Sequence, residues 1–248
     1  ADHAIGEVPV LPVVLVLDWF TRAATAIRPG LELGACRDLK VLRGIRLTGF
    51  EGAGDCFRII VKDHEDESGL VLDFALQGSD GTQHYTAHVE LQHEAHAAVV
   101  VSEPALDLQP WQDPIYGDVL FHGPDFQVIR NLDGMADQGG AATLAGVTEL
   151  GWHGGWHATD AAALDGGLQL ALLWGKRVLG GASLPTGVGA YQVYQRELTA
   201  QPIRCTLERK SVDRSRAICN LRFTNVEGQL LAEMRDVETH LLPFTKSN

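Results

Sequence analysis

The sequence predicts an α+β fold in which two like halves each curl an antiparallel sheet around one central helix. Three observations carry this reading. Residues 12–24 and 159–175 are apolar almost all round, yet each run encloses an aspartate, Asp18 and Asp165. Each run is followed by a long tract of strand signals. The order helix then meander therefore occurs twice, a weak internal repeat at about half the chain length.

In chain order, residues up to Val10 read as loop or short strand punctuated by Gly6 and Pro9, and Pro12 stands where the first helical turn tolerates proline. Strands are expected over 36–49, 56–63, 70–77 and 82–92, with Ser79-Asp80-Gly81 turning the last pair. The alternation Leu70-Leu72-Phe74-Leu76 suits a sheet with one buried face. The polar, Gly-rich stretch 131–146 predicts a linker between an N-terminal subdomain, 1–130, and a C-terminal one, 147–248. In the second helix Thr159 is the expected N-cap, and Leu164, Leu168 and Leu172 form an apolar stripe. Strands follow over 190–198, 203–212, 215–224 and 229–242.

The 248 residues, 45% hydrophobic and 21% charged, can bury a substantial core and read as an ordinary globular protein. A formal net charge of −12 argues against a nucleic-acid or anionic-membrane partner, but leaves room for an acidic carrier protein on a local basic patch. Cys36, Cys56, Cys205 and Cys219 form no C-x-x-C pair, so buried thiols in a cytoplasmic protein are expected and a zinc site or disulfide scaffold is not. The apolar run 9–17 is too short to span a bilayer and has no basic lead-in. His84, His88, His93 and His96 lack H-E-x-x-H spacing and read as a surface cluster.

A carboxylate in so apolar a helix as 159–175 is costly unless paired, hydrogen-bonded or protonated. Asp165 is therefore the first candidate for chemistry, against the plainer reading of an acid that complements the helix dipole. Gln169, four residues on, sets a carboxamide beside it. His3 stands in H-A-I-G-E-V-P-V-L-P, ahead of the first helix.

His3-x-Ile5-Gly6-Glu7 followed by Pro9-Val10-Leu11-Pro12 resembles the active-site loop of hot-dog 3-hydroxyacyl-[acyl-carrier-protein] dehydratases, including the dehydratase domains of polyketide and polyunsaturated fatty acid synthases. Leu120-Phe121-His122-Gly123-Pro124-x-Phe126-Gln127 resembles their G-P-x-F element, Asp165-x-x-x-Gln169 their D-x-x-x-Q/H motif, and Leu184-Pro185 a later L-P motif. The chain departs from the polyketide pattern at Glu7, and carries Val13 where a glycine usually follows the loop proline. It begins two residues before His3, and is expected to be a piece of a larger synthase without the strand that leads into this loop.

The resemblance implies a double hot-dog fold and removal of water from a 3-hydroxyacyl chain on acyl-carrier protein, giving a trans-2-enoyl thioester. It implies one composite site, with His3 as base, Asp165 as protonated acid and Gln169 orienting the acid or the leaving hydroxyl. The Val13 N–H, just past Pro12, would face the thioester oxygen, Gly6 would shape the His loop, and Gly123, Pro124 and Phe126 the wall. The reciprocal set, Asp18 with His153 or His157, would be vestigial, since Arg22 stands four residues after Asp18. No metal or redox cofactor is implied. The substrate would arrive on phosphopantetheine, and the partners would be acyl-carrier protein, other synthase domains and, optionally, a second copy of the chain. Two rivals stand beside this: another hot-dog enzyme, a thioesterase or isomerase, and a non-catalytic scaffold that binds acyl-carrier protein.

Overall fold

The computed structural model describes all residues except 1, 67–68, 118, 153–158, 196–200 and 243–248. It opens on a small hairpin, β1 (Ala4–Ile5) with β2 (Val8–Pro9), turned at Gly6, whose φ of +67° is one that other residues avoid. Extended backbone at Pro12 leads into α1 (Val13–Ile27). Val14, Leu17, Phe20, Thr21 and Ala24 are buried at helical spacing, with Asp18 among them.

A four-strand meander follows: β3 (Glu32–Val41), β4 (Phe57–Asp66), β5 (Gly69–Gly78) and β6 (Gln83–Gln92). Tyr85, Ala87, Val89 and Leu91 alternate into the core from β6. The chain then forms β7 (Ile129–Ala136), β8 (Gly139–Leu144), the short helix α2 (Val147–Leu150) and the long helix α3 (Ala161–Leu179). The second meander is β9 (Ser183–Val193), β10 (Ile203–Val212), β11 (Arg216–Thr224) and β12 (Leu230–Leu241). Every residue of α3 from Ala161 to Gly175 is buried.

The fold is the double hot-dog, but its two sheets are not separate. They join edge to edge into one antiparallel sheet of order β4-β5-β6-β3-β9-β12-β11-β10-β8-β7. The order 4-5-6-3 is mirrored by 10-11-12-9, so the internal repeat is visible as a pseudo-twofold about the β3–β9 seam. Across that seam Cys36 faces Tyr191 and Lys40 faces Gly187. A Cβ at Gly187 would lie 3.0 Å from the Leu39 carbonyl oxygen, which is why the strand tolerates glycine here; β9 begins earlier than the expected 190, its first residues pairing with β12.

Two expectations fail for related reasons. The stretch 131–146 is no linker: it holds most of the β7–β8 hairpin, and β8 pairs with β10. Its glycines permit close approach, since a Cβ on Gly139 would fall 2.0 Å from the Leu207 carbonyl oxygen. Thr159 does not cap α3. Asp160 does, accepting from the Ala163 N–H at 3.0 Å, while the Thr159 N–H and hydroxyl both donate to Asp18 Oδ1, at 3.0 and 3.2 Å. Cys36, Cys205 and Cys219 are buried as expected, but Cys56 is exposed. Among the described residues no helix is long and apolar enough to cross a membrane.

Gly139→Ala should break the β8–β10 contact and lower the melting temperature by about 2–12 °C, taking overpacking at about 1–3 kcal/mol and about 2–4 °C per kcal/mol. Gly52→Ala, whose new Cβ would meet nothing nearer than 3.8 Å, should leave it unchanged in the same calorimetric scan.

Candidate active site

His3 is fixed by backbone before its side chain is considered. Its carbonyl accepts from the Val10 N–H at 2.9 Å, it bridges to His122, and the neighbouring Asp2 carbonyl accepts from the Gly123 N–H at 2.7 Å. A Cβ on Gly123 would lie 2.8 Å from Asp2 Cγ, so glycine lets these two segments touch. The imidazole is tied down by Nδ1, 2.9 Å from the Val10 carbonyl oxygen. A carbonyl only accepts, so Nδ1 carries the hydrogen and Nε2 keeps its lone pair. Phe121, His122 and Phe126 ring the imidazole at centroid distances of 5.2, 5.1 and 5.3 Å.

Asp165 projects from α3 with only 3% of its surface exposed. Gln169, one turn on, donates from Nε2 to Asp165 Oδ2 at 2.8 Å and to the Phe126 carbonyl at 2.8 Å. The Gln169 Oε1 accepts from the Tyr116 hydroxyl at 3.0 Å, and that hydroxyl accepts from the Ile129 N–H at 2.8 Å. His122 Nε2 lies 3.5 Å from the same Oδ2.

His3, from ahead of α1, and Asp165, from α3, thus meet across the two halves: with His122, their nearest polar atoms fall within 4.8 Å of one another. They face one cavity of about 200 Å³ between the halves. Its walls are mostly apolar: Ile5, Leu11, Val13, Ile45, Tyr85, Leu168, Leu172, Leu184 and Pro185. Burial pushes the His122 imidazole down to about 4, against the pull of Asp165, so it is neutral at ordinary pH. The His122 Nδ1 is buried without a partner, and an unpaired acceptor costs less than an unpaired N–H, which assigns the hydrogen to Nε2, beside Asp165. Two imidazoles and a carboxylate are also the donor types of a metal-ligand set, with one donor atom of each within 4.8 Å of the others.

Residues 92–246 match the family described as the polyketide synthase dehydratase N-terminal domain. The chain belongs to the polyketide synthase dehydratase family. It is 26% identical to a polyunsaturated fatty acid synthase polypeptide of Thraustochytrium sp. over 94% of its own length, and spans 9% of that relative. Its fold is that of the dehydratase domain of a mycocerosic acid synthase-like polyketide synthase, at 18% identity and a TM-score of 0.75 over 98% of this chain and 86% of that one. The dehydratase domain of the CurF module of curacin polyketide synthase gives 13% and 0.76 over 95% and 85%. A trans-acyltransferase polyketide synthase enoyl-isomerase gives 12% and 0.71 over 95% and 92%, so the same fold carries more than one named activity.

Of the family motifs read in the sequence, His3, Val13, Asp165, Gln169, Leu184 and Pro185 line the cavity. Gly6 does not: it is exposed and makes the β1–β2 turn. Pro12 is buried behind the start of α1, and Gly123 and the exposed Pro124 back the His3 segment without lining the cavity. Phe126 acts through its carbonyl on Gln169, with its ring against His3 and Trp152. Asp18 is occupied by Thr159, and the reciprocal candidates His153 and His157 lie outside the described residues. Of the four histidines read as a surface cluster, His88 pairs with Asp73 and His84 with the Arg43 carbonyl at the surface and His93 is exposed, but His96 is part-buried, its Nε2 2.8 Å from the Gly34 carbonyl oxygen.

Two residues of the site escape sequence reasoning. His122 stands inside the G-P-x-F element, where sequence makes it only a flank, and its burial beside Asp165 is what singles it out. Tyr116 belongs to no motif. Its only sequence signal is a lone tyrosine before a Gly-punctuated stretch, too weak to act on.

The depressed His122 value makes stability pH-dependent. Its folded-state value, about 4, lies below the unfolded 6.5, so the unfolded chain binds the proton first. The contribution is therefore complete above pH 6.5 and falls as pH drops toward 4. Thermal unfolding across that window should show a loss on the order of 3 kcal/mol, and His122→Phe should flatten that part of the curve.

Proposed function

We propose that this domain dehydrates a 3-hydroxyacyl chain carried on acyl-carrier protein to the trans-2-enoyl thioester, working beside other domains of a polyketide or polyunsaturated fatty acid synthase. The observation that carries the reading is the convergence of the His3 imidazole and the Asp165 carboxyl, from opposite halves, on one apolar cavity.

The chemistry needs a base for the C2 proton, an acid for the departing hydroxyl and a donor for the thioester oxygen. His3, whose Nε2 keeps its lone pair because Nδ1 donates to the Val10 carbonyl, takes the C2 proton. Electron density moves toward the thioester oxygen, where Val13 offers the first N–H of α1 at the positive end of the helix dipole. As the C2=C3 bond forms, the C3–O bond breaks, and Asp165 gives its proton to the leaving hydroxyl, which departs as water. A later proton exchange returns His3 to the neutral form and Asp165 to the acid. The steps use no metal and no redox group. Arg46 lines the mouth of the cavity, is exposed and makes no ion pair among the described residues, which suits the phosphate of a phosphopantetheine arm.

The test is mass spectrometry of an acyl-carrier protein loaded with a 3-hydroxyacyl chain. The expected result is loss of water, with His3→Ala and Asp165→Asn each slowing it by about 10²–10⁴-fold. Release of free acid would instead mark a thioesterase, migration of a double bond an isomerase, and no change with wild-type protein a scaffold.

A further inference from the structure

Gln169 can sit in its site two ways round, and the partners decide which. On one side of the amide lie two acceptors, Asp165 Oδ2 and the Phe126 carbonyl, each 2.8 Å away. On the other lies the Tyr116 oxygen at 3.0 Å. That oxygen already accepts from the Ile129 N–H at 2.8 Å, so its own hydrogen is free to point at Gln169. Burial holds the phenol up at about 12, so Tyr116 keeps this hydrogen at every working pH. The polar hydrogens in the chain from Tyr116 to Asp165 are thus committed in one direction.

We propose that Tyr116 is a positioning residue for the acid: by donating to Gln169 Oε1 it keeps Nε2 on Asp165 Oδ2, and so leaves Oδ1 as the oxygen that delivers the proton. With Oδ2 taken by Gln169 and flanked by the Nε2–H of His122, a proton there would have two donors against it. Oδ1 has no protein partner among the described residues and is left for the substrate hydroxyl. Without the Tyr116 hydroxyl, Gln169 Oε1 becomes a buried acceptor without a donor, the amide turns to find one, and its grip on the carboxyl loosens. The anchor comes from the Ile129 N–H, at the start of β7, so the β7–β8 hairpin helps to hold the acid in place.

The proposal rests on Asp165 being the acid, and a double-mutant cycle tests it through the amide. Tyr116→Phe should lower kcat about tenfold with KM unchanged in wild-type protein, and have almost no effect in a Gln169→Leu background, where there is no amide left to hold. An equal loss in both backgrounds, or no loss in the first, overturns it. A second measurement does not depend on catalysis. The Gln169 side-chain NH₂ protons should exchange slowly in wild-type protein by NMR, and faster in Tyr116→Phe. Unchanged exchange overturns the proposal. If wild-type protein does not dehydrate, the functional reading falls by itself and the exchange rates alone decide the role of Tyr116.

Discussion

The constraint on which the rest depends is the β3–β9 ladder. Each half could close a sheet around its own helix, but neither holds a complete site. His3 precedes α1 and Asp165 lies in α3, so the candidate site forms only if the two halves keep one register. Four Cα-paired positions, from Cys36 with Tyr191 to Lys40 with Gly187, set it. Since a one-residue slip would turn each strand's buried set outward, the buried faces of the flanking strands enforce it in turn. The helices then pack side by side beneath a single sheet, and the loop ahead of α1 is laid against the α3 carboxyl.

The pseudo-twofold places a buried aspartate in each helix, and the two have opposite uses because they meet different donors. Asp18 accepts from the backbone N–H and the hydroxyl of Thr159, which pins α1 to the residue leading into α3. That is a structural clamp between the halves. Asp165 accepts from the Gln169 side chain on one oxygen only. A buried carboxyl needs donors to be tolerated at all. Supplying them on one side satisfies the burial requirement and still leaves an oxygen for chemistry.

Where sequence reading succeeds, the signal is either periodic or compositional. The all-round apolarity of α3, the alternation in β5 and β6, and the coincidence of His3, Asp165 and Gln169 with family motifs each translate a local pattern into a local fact. Where it fails, the deciding partner is remote in the chain. Thr159 is as good a cap as Asp160 in isolation, and only Asp18, 141 residues away, claims it. The glycines of 131–146 read as flexibility because the strand they must approach, β10, lies beyond the whole of α3 and β9. Tyr116 and His122 are beyond reach for the same reason: the Tyr116 hydroxyl meets Gln169 across 53 residues of sequence, and no spacing rule encodes that contact.

The distribution of charge in the cavity fits the order of proton movements. A fixed cation beside Asp165 would favour the carboxylate and oppose its use as an acid. The nearest imidazole, His122, is instead held neutral by burial and offers the carboxyl only a dipole. The exposed Arg46 stays at the mouth. In the proposed dehydration, the one positive charge created in the interior would be on His3, as it takes the C2 proton. That imidazole sits among aromatic rings, with Phe121 at 5.2 Å and Phe126 at 5.3 Å, which exclude water from it and limit its movement. In the proposed reaction charge would therefore develop on His3, while the group nearest Asp165 is a neutral imidazole and not a fixed cation.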